Sequence, residues 1–163
     1  KNNGYSNVRK KMKNIEIEKV TLKDIDQLQK IGKQTFANTF GAQNSPVFME
    51  KYLEESFSKE RMKTELSDEN SEVYFAKIDN DIVGYLKVNF GHSQTELKDK
   101  NALEIERIYV TREYLGKKIG QALYEKAISV ARKKNLNYVW LGVWEENPRA
   151  IRFYEKNGFK KSI

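Results

Sequence analysis

Between Ala102 and Val143 the chain reads as a strand, a glycine-containing turn, a long amphipathic helix and a second strand, and this run constrains the fold more than any other. Residues 102–111 have the β-branched and aromatic content of a strand. Over 114–134, Ile119, Leu123, Ala127, Val130 and Ala131 fall on one helical face. Residues 137–143 read as a strand again, and 147–157 as a helix ended by Gly158. A strand–helix–strand–helix order belongs to an α/β sandwich, in which helices cover a sheet.

The front half adds to that sheet. Residues 15–20 alternate with the period of a half-buried strand. Thr21-Leu22-Lys23-Asp24 reads as a capping box opening a helix, with Ile25, Leu28, Ile31, Thr35, Phe36 and Phe40 at helical spacing. Gly41 stops it, Ser45-Pro46 starts a second helix, and a third runs over 59–66. Residues 72–78 and 82–90 are strands joined by Asp79-Asn80-Asp81, the clearest hairpin signal in the chain. The polar stretch 91–101 reads as a loop. The expected order is β, α, α, β, β, β, α, β, α, with a mixed sheet. No apolar run approaches the ~18 residues of a membrane span, and the first residues have no apolar signal core.

Composition narrows the chemistry. The 163 residues include no Cys and a single His, His92. Thiol nucleophiles, Cys-held zinc and two-His metal sites are therefore excluded, and proton transfer falls to Asp, Glu, Tyr or Lys. His92 sits in a polar loop and reads as a surface residue. Of 30 Lys and Arg, five lie in residues 1–13 with no acid; the other 25 face 23 Asp and Glu, a net +2. The overall +7 is thus largely a property of a basic, solvated leader over 1–13, which Met12 marks as partly an extension. One domain over 14–163 is expected. Neither a specific nucleic-acid partner nor a membrane is expected, and the absence of Cys and of a signal core points to the cytoplasm. A homodimer is left open.

Two segments carry the chemistry. Leu103-Glu104-Ile105-Glu106-Arg107-Ile108-Tyr109-Val110 leads through Leu115-Gly116-Lys117-Lys118-Ile119-Gly120 into the long helix. A helix N-terminus offers unpaired amides and a positive dipole end, and glycine lets an anion approach the backbone. A phosphate or pyrophosphate is the natural ligand, with Lys117 and Lys118 adding charge. An ordinary strand-to-helix turn would use glycine in the same way. The second segment runs from Trp140 to Phe159 and includes Asn147-x-x-Ala150-x-x-Phe153-Tyr154-x-x-x-Gly158-Phe159. Trp140 and Trp144 alternate onto one strand face as core or cleft wall.

Together these segments resemble motifs A and B of the GCN5-related N-acetyltransferases, the GNAT family. The family's loop reads Gln/Arg-x-x-Gly-x-Gly/Ala; Leu115-x-x-Lys118-x-Gly120 keeps only the last glycine and puts a Cβ at 118. The resemblance spans about Ile15 to Phe159. Thr35-Phe36-x-x-Thr39-Phe40, Asn44-Ser45-Pro46, Tyr52-Leu53-Glu54-x-x-Phe57 and Trp140-Leu141-Gly142-Val143-Trp144-Glu145 resemble in particular the PaiA-type spermidine/spermine acetyltransferases.

The resemblance implies an α/β, GNAT-type mixed central sheet with helices on both faces. Members continue past Gly158-Phe159 with two more strands, and this sequence ends at Ile163, so the C-terminal strand or strands are expected to be missing. It implies direct transfer of the acetyl group of acetyl-CoA to a primary amine, a polyamine such as spermidine or spermine, with no metal. A protein or aminoglycoside amine is the alternative acceptor, and an acetyl-CoA-binding regulatory protein without turnover the alternative function.

The implied roles follow by position. The backbone of Ile108, Tyr109 and Val110 would pair with the pantetheine amides and polarise the acetyl carbonyl. Gly116, Lys117, Lys118, Ile119 and Gly120 would hold the pyrophosphate. Asn147 would bond the pantetheine or a water, and Lys156 would reach a CoA phosphate. Tyr154 would be the general acid for the leaving thiolate. Glu104 and Glu106, two apart on a strand and so on one face, would relay the amine proton and attract a polycation; pairing with Arg107 or a lysine is the plainer role for them. Tyr52, Glu54 and Glu55 would line the substrate entrance.

Overall fold

The computed structural model describes residues 14–143 and 147–161. The basic leader, Trp144 and Glu145 lie outside the described residues. Strand β1 (Glu16–Lys19) leads into Thr21, whose N–H donates to the Asp24 carboxylate at 2.9 Å, so the capping box forms. A single 3-10 turn, Leu22–Asp24, precedes helix α1 (Ile25–Phe40). Ser45 caps α2 (Pro46–Ser56), and Ser58 caps α3 (Lys59–Ser67). Strands β2 (Ser71–Ile78) and β3 (Asp81–Phe90) form the hairpin, with Asp79 and Asn80 at positive φ as a tight two-residue turn requires. Strand β4 (Ala102–Val110), helix α4 (Ile119–Lys133), strand β5 (Tyr138–Trp140) and helix α5 (Pro148–Lys156) complete the order.

Two boundaries differ from expectation. The helix predicted over 114–134 starts only at Ile119, because Gly116 (φ +80) and Lys118 (φ +68) turn the chain left-handed and break the helical run. The strand predicted over 137–143 forms only at Tyr138–Trp140, because its neighbour diverges beyond that point.

The sheet among the described residues has the order β1-β2-β3-β4-β5. All pairs are antiparallel except β4–β5, which is parallel, as the crossover through α4 demands. The pairing of β3 with β4 slips once. Val88 faces Ile105 and Lys87 faces Arg107, which leaves Glu106 as the extra residue of a β-bulge.

Helices cover both faces. On one side Ile119, Leu123, Ala127, Val130 and Ala131 of α4 pack on Leu86, Val88, Leu103 and Ile105. On the other, Leu28 and Ile31 of α1, Phe57, and Met62 of α3 pack on Val73, Phe75 and Tyr85. Each such fully buried Leu, Ile, Val, Met or Phe side chain contributes roughly 1.5–3 kcal/mol. Among the described residues no helix is long and apolar enough to cross a membrane.

Candidate active site

The site begins where two strands part. β4 stays paired with β3 out to Val110, but it pairs with β5 only from Ala102 to Glu104. From Ile105 onward the other edge of β4 has no strand beside it among the described residues. Ile108, Tyr109 and Val110 lie on this edge, Ile108 and Val110 turned toward the α4 side and the Tyr109 ring tilted against that of Tyr85 at 6.0 Å. Backbone groups without a strand partner accept an extended ligand as a sheet accepts a strand. A groove of about 920 Å3 runs along β5 between α4 and α5, lined in part by Trp140, Leu141, Gly142, Val143, Ile151 and Tyr154.

The loop from β4 to α4 is built for a close approach. Gly116 takes a positive φ of +80, and a Cβ there would stand 3.6 Å from a guanidinium nitrogen of Arg149 in the first turn of α5. Lys118 caps α4 in the left-handed conformation. Lys117 lies over the Tyr114 ring at 5.6 Å, and both lysines are exposed. The Ile119 side chain is core, so only its backbone faces the turn. Gly120 sits beside Val110 and the Phe153 ring. A backbone turn at a helix start ringed by three cations fits the diphosphate of a coenzyme.

Helix α5 is fixed at both ends. Asn147 Oδ1 accepts from the Ala150 N–H at 3.2 Å, capping the helix. At the other end Gln121 donates to Asn157 at 3.0 Å, and the Phe153 and Phe159 rings meet Tyr124 of α4 edge-on. Tyr154 is thereby held between Phe153 and Phe159, half-buried on the groove. Burial, reinforced by Tyr109 nearby, pushes the Tyr154 phenol well above its usual range. The phenol is therefore a proton donor at neutral pH. Lys156, in the last turn of α5, is exposed.

A buried polar network lies on the opposite side of β4. Because Glu106 is the bulge residue, Glu104, Glu106 and Arg107 all face the helices α1 and α3. Lys87 lies 2.8 Å from Glu106 and 3.5 Å from Glu65 of α3. Arg107 holds Glu65 at 3.0 Å and Glu106 at 3.4 Å, and covers the Phe57 ring at 5.4 Å. Glu104, 4% exposed, accepts from the Thr95 N–H at 2.8 Å, the Thr95 hydroxyl and Asn89 Nδ2 at 3.1 Å. Asn89 also donates to Glu106 at 2.8 Å. Burial pushes the Glu106 carboxyl up, but the Arg107 and Lys87 cations with the hydrogen bonds from Lys87 and Asn89 outweigh it, and the group lies below its usual value. The Tyr85 hydroxyl is buried here with no hydrogen-bond partner among the described residues.

The structure thus brings Tyr109 and Tyr154 together at the open edge, and Glu104 and Glu106 together beneath it through Asn89. Tyr52 stacks on Phe36 at 4.6 Å, close enough to Tyr109 to act on its phenol. Sequence reasoning missed Asn89, Lys87, Glu65, Thr95 and Arg149. One signal was available: Lys87 and Asn89 alternate with apolar residues in a strand that proves buried on both faces.

A parallel splay over a helix start suited to an anion, with a protonated phenol on the helix that follows, fits an acyltransferase class of site. A family model for the acetyltransferase (GNAT) family matches residues 34–159. The chain is 37% identical over 150 residues to an uncharacterised N-acetyltransferase from the pepI 3′ region of Lactobacillus delbrueckii subsp. lactis, covering 92% of this chain and 87% of that protein. It is 29% identical over 150 residues to the spermidine N(1)-acetyltransferase of Thermoplasma acidophilum, covering 90% and 88%. The crystal structure of a PaiA N-acetyltransferase from Thermoplasma acidophilum in complex with coenzyme A superposes with a TM-score of 0.79 at 27% identity, covering 91% of each chain. The chain belongs to the acetyltransferase (GNAT) family and is an acetyl-CoA-dependent N-acetyltransferase.

Proposed function

We propose that the protein, as a single domain over residues 14–163, moves the acetyl group of acetyl-CoA directly to a primary amine of a small polycation such as spermidine or spermine. One observation carries the reading: Tyr109, at the open edge of β4, stands close enough to the Tyr154 phenol on one side and to the Glu106 carboxylate on the other to interact electrostatically with both. The spermidine N(1)-acetyltransferase of Thermoplasma acidophilum supports a polyamine acceptor.

Each residue has a task. The unpaired edge at Ile108, Tyr109 and Val110 holds the pantetheine arm and polarises the acetyl carbonyl as charge gathers on its oxygen. Gly116 to Gly120, with Lys117 and Lys118, cradle the diphosphate. Asn147 sets the α5 entry, and Lys156 reaches for a coenzyme phosphate. Glu106, through a water, takes the proton the amine loses on attack, since an alkylamine starts near a pKa of ~10.4. Glu104 is spent on Thr95 and Asn89, which favours Glu106 between the two. The new C–N bond replaces the C–S bond, and Tyr154 returns a proton to the departing sulfur.

The test is release of coenzyme A thiol across a panel of amines. Spermidine and spermine are expected to give the highest kcat/KM; turnover confined to aminoglycosides would overturn the acceptor. Tyr154→Phe is expected to lower kcat by about 100-fold at unchanged acetyl-CoA affinity. An unchanged kcat removes Tyr154 from proton transfer.

A further inference from the structure

We propose that Asn89 is a positioning residue for acetyl transfer: a hydrogen-bonded row across three strands holds one oxygen of Glu106 so that the other is left to take the amine's proton. The inference rests on the reading of Glu106 as the proton acceptor.

The row follows from register. Ser71 of β2 faces Asn89 of β3, and Asn89 faces Glu104 of β4. The Ser71 hydroxyl donates to Asn89 Oδ1 at 2.7 Å. The carboxylates of Glu104 and Glu106 on its other side fix which way round the amide lies, because an ionised carboxylate can only accept and so must face Nδ2. Both Nδ2 hydrogens then point at carboxylates, one at Glu104 Oε1 (3.1 Å) and one at Glu106 Oε1 (2.8 Å). Asn89 is wholly buried, so no solvent competes for it. Thr95 holds Glu104 from the other side, which makes Glu104 a fixed post rather than a mobile acid.

Glu106 is consequently divided. Its Oε1 is taken by Lys87 and Asn89, both at 2.8 Å, whereas its Oε2 has the longer 3.4 Å contact to Arg107. Strand alternation already puts Glu106 on the face of Glu104, and the bulge brings Arg107 onto that same face, where it meets Oε2. The groups facing Glu106 are Lys87 and Tyr85 from β3, Arg107, Glu104 and Tyr109 from β4, and Glu65 from α3. Among its direct partners in the described residues, Asn89 alone is neutral. It can orient the carboxylate without adding a charge to the cleft.

Asn89→Leu keeps the branched outline of the side chain and removes both donors; Ser71→Ala frees the amide and leaves the core intact. The readout is the pH dependence of kcat/KM for the amine. The acid limb is expected to rise by about one pH unit in Asn89→Leu, as lost hydrogen bonds to a carboxylate require, with kcat down about tenfold and the KM for acetyl-CoA unchanged. Ser71→Ala is expected to move the limb the same way by less. Limbs in the wild-type place in both variants, with only the melting temperature lowered, overturn the inference. Glu106→Gln separates the two readings. If that enzyme is slow while both limbs stay put, only the positioning role fails; if it is as fast as wild type, the reading of Glu106 fails as well.

Discussion

Lys118 carries a cost and a benefit that can be separated. A residue with a Cβ in the left-handed region costs roughly 1–2 kcal/mol, while a glycine there would lose about 0.5–1 kcal/mol of extra chain entropy on folding. Lys118→Gly is therefore expected to stabilise the protein by about 0.5 kcal/mol, seen as a small rise in melting temperature. On the binding mode proposed above it also removes an ammonium from beside the diphosphate, so acetyl-CoA is expected to bind several-fold more weakly, measured by calorimetry. Equal affinity would show that the lysine is there for the turn alone. At this scale the sequence was readable where a motif departs from its family pattern, as at Lys118. It was nearly silent at Asn89, whose partners Ser71, Glu104 and Glu106 lie on two other strands. Alternation with apolar residues along β3 is the one local mark, and it does not say which partners the amide finds.

Among the elements, β4 is shaped by its neighbour as much as by its own residues. Gly84 of β3 faces Val110, and a Cβ on it would come within 2.7 Å of the Tyr109 carbonyl oxygen, closer than any packing allows. Gly84→Ala must push the tip of β4 away from β3. The expected loss is about 1–3 kcal/mol in urea denaturation, as for overpacking elsewhere, together with weaker acetyl-CoA binding, because the displaced backbone is the edge proposed to receive the pantetheine. Loss of stability without loss of binding would separate Gly84 from the site. Element identities were legible because apolar period and caps agree with the fold, as at Thr21, Ser45 and Gly158. The late start of α4 was hidden by an apolar pattern that two left-handed residues interrupt. The shortness of β5 was hidden because strand divergence is decided by packing between α4 and α5.

For the molecule as a whole, the Lys87–Glu65–Arg107–Glu106 network ties α3 to the sheet in a buried place. Removing one partner there leaves an unpaired charge, which costs more than an exposed pair could return. The Glu106 carboxyl has a lower pKa folded than unfolded, so the unfolded chain takes up its proton first as pH falls. The stability it provides is complete at neutral pH and drains away below the ordinary carboxylate value of ~4.3. Urea midpoints are expected to fall between pH 5 and pH 3 in wild type. Glu106→Gln is expected to start lower at pH 7 and to fall less over that interval. Parallel curves would place the titrating group elsewhere, with Asp68 the next to examine.

The bulge at Glu106 has a consequence for descent. An extra residue elsewhere in β4 would swap inside and outside for everything downstream. Here the ladder resumes in step, Ile105 on Val88 and Arg107 on Lys87, so the residue is an insertion the strand already tolerates. A lineage could lose the acid at this point and keep the coenzyme edge intact, or regain it without redrawing the sheet. On the roles proposed above, holding the acetyl donor and deprotonating an acceptor are thus open to separate change, although they occupy adjacent positions on one strand.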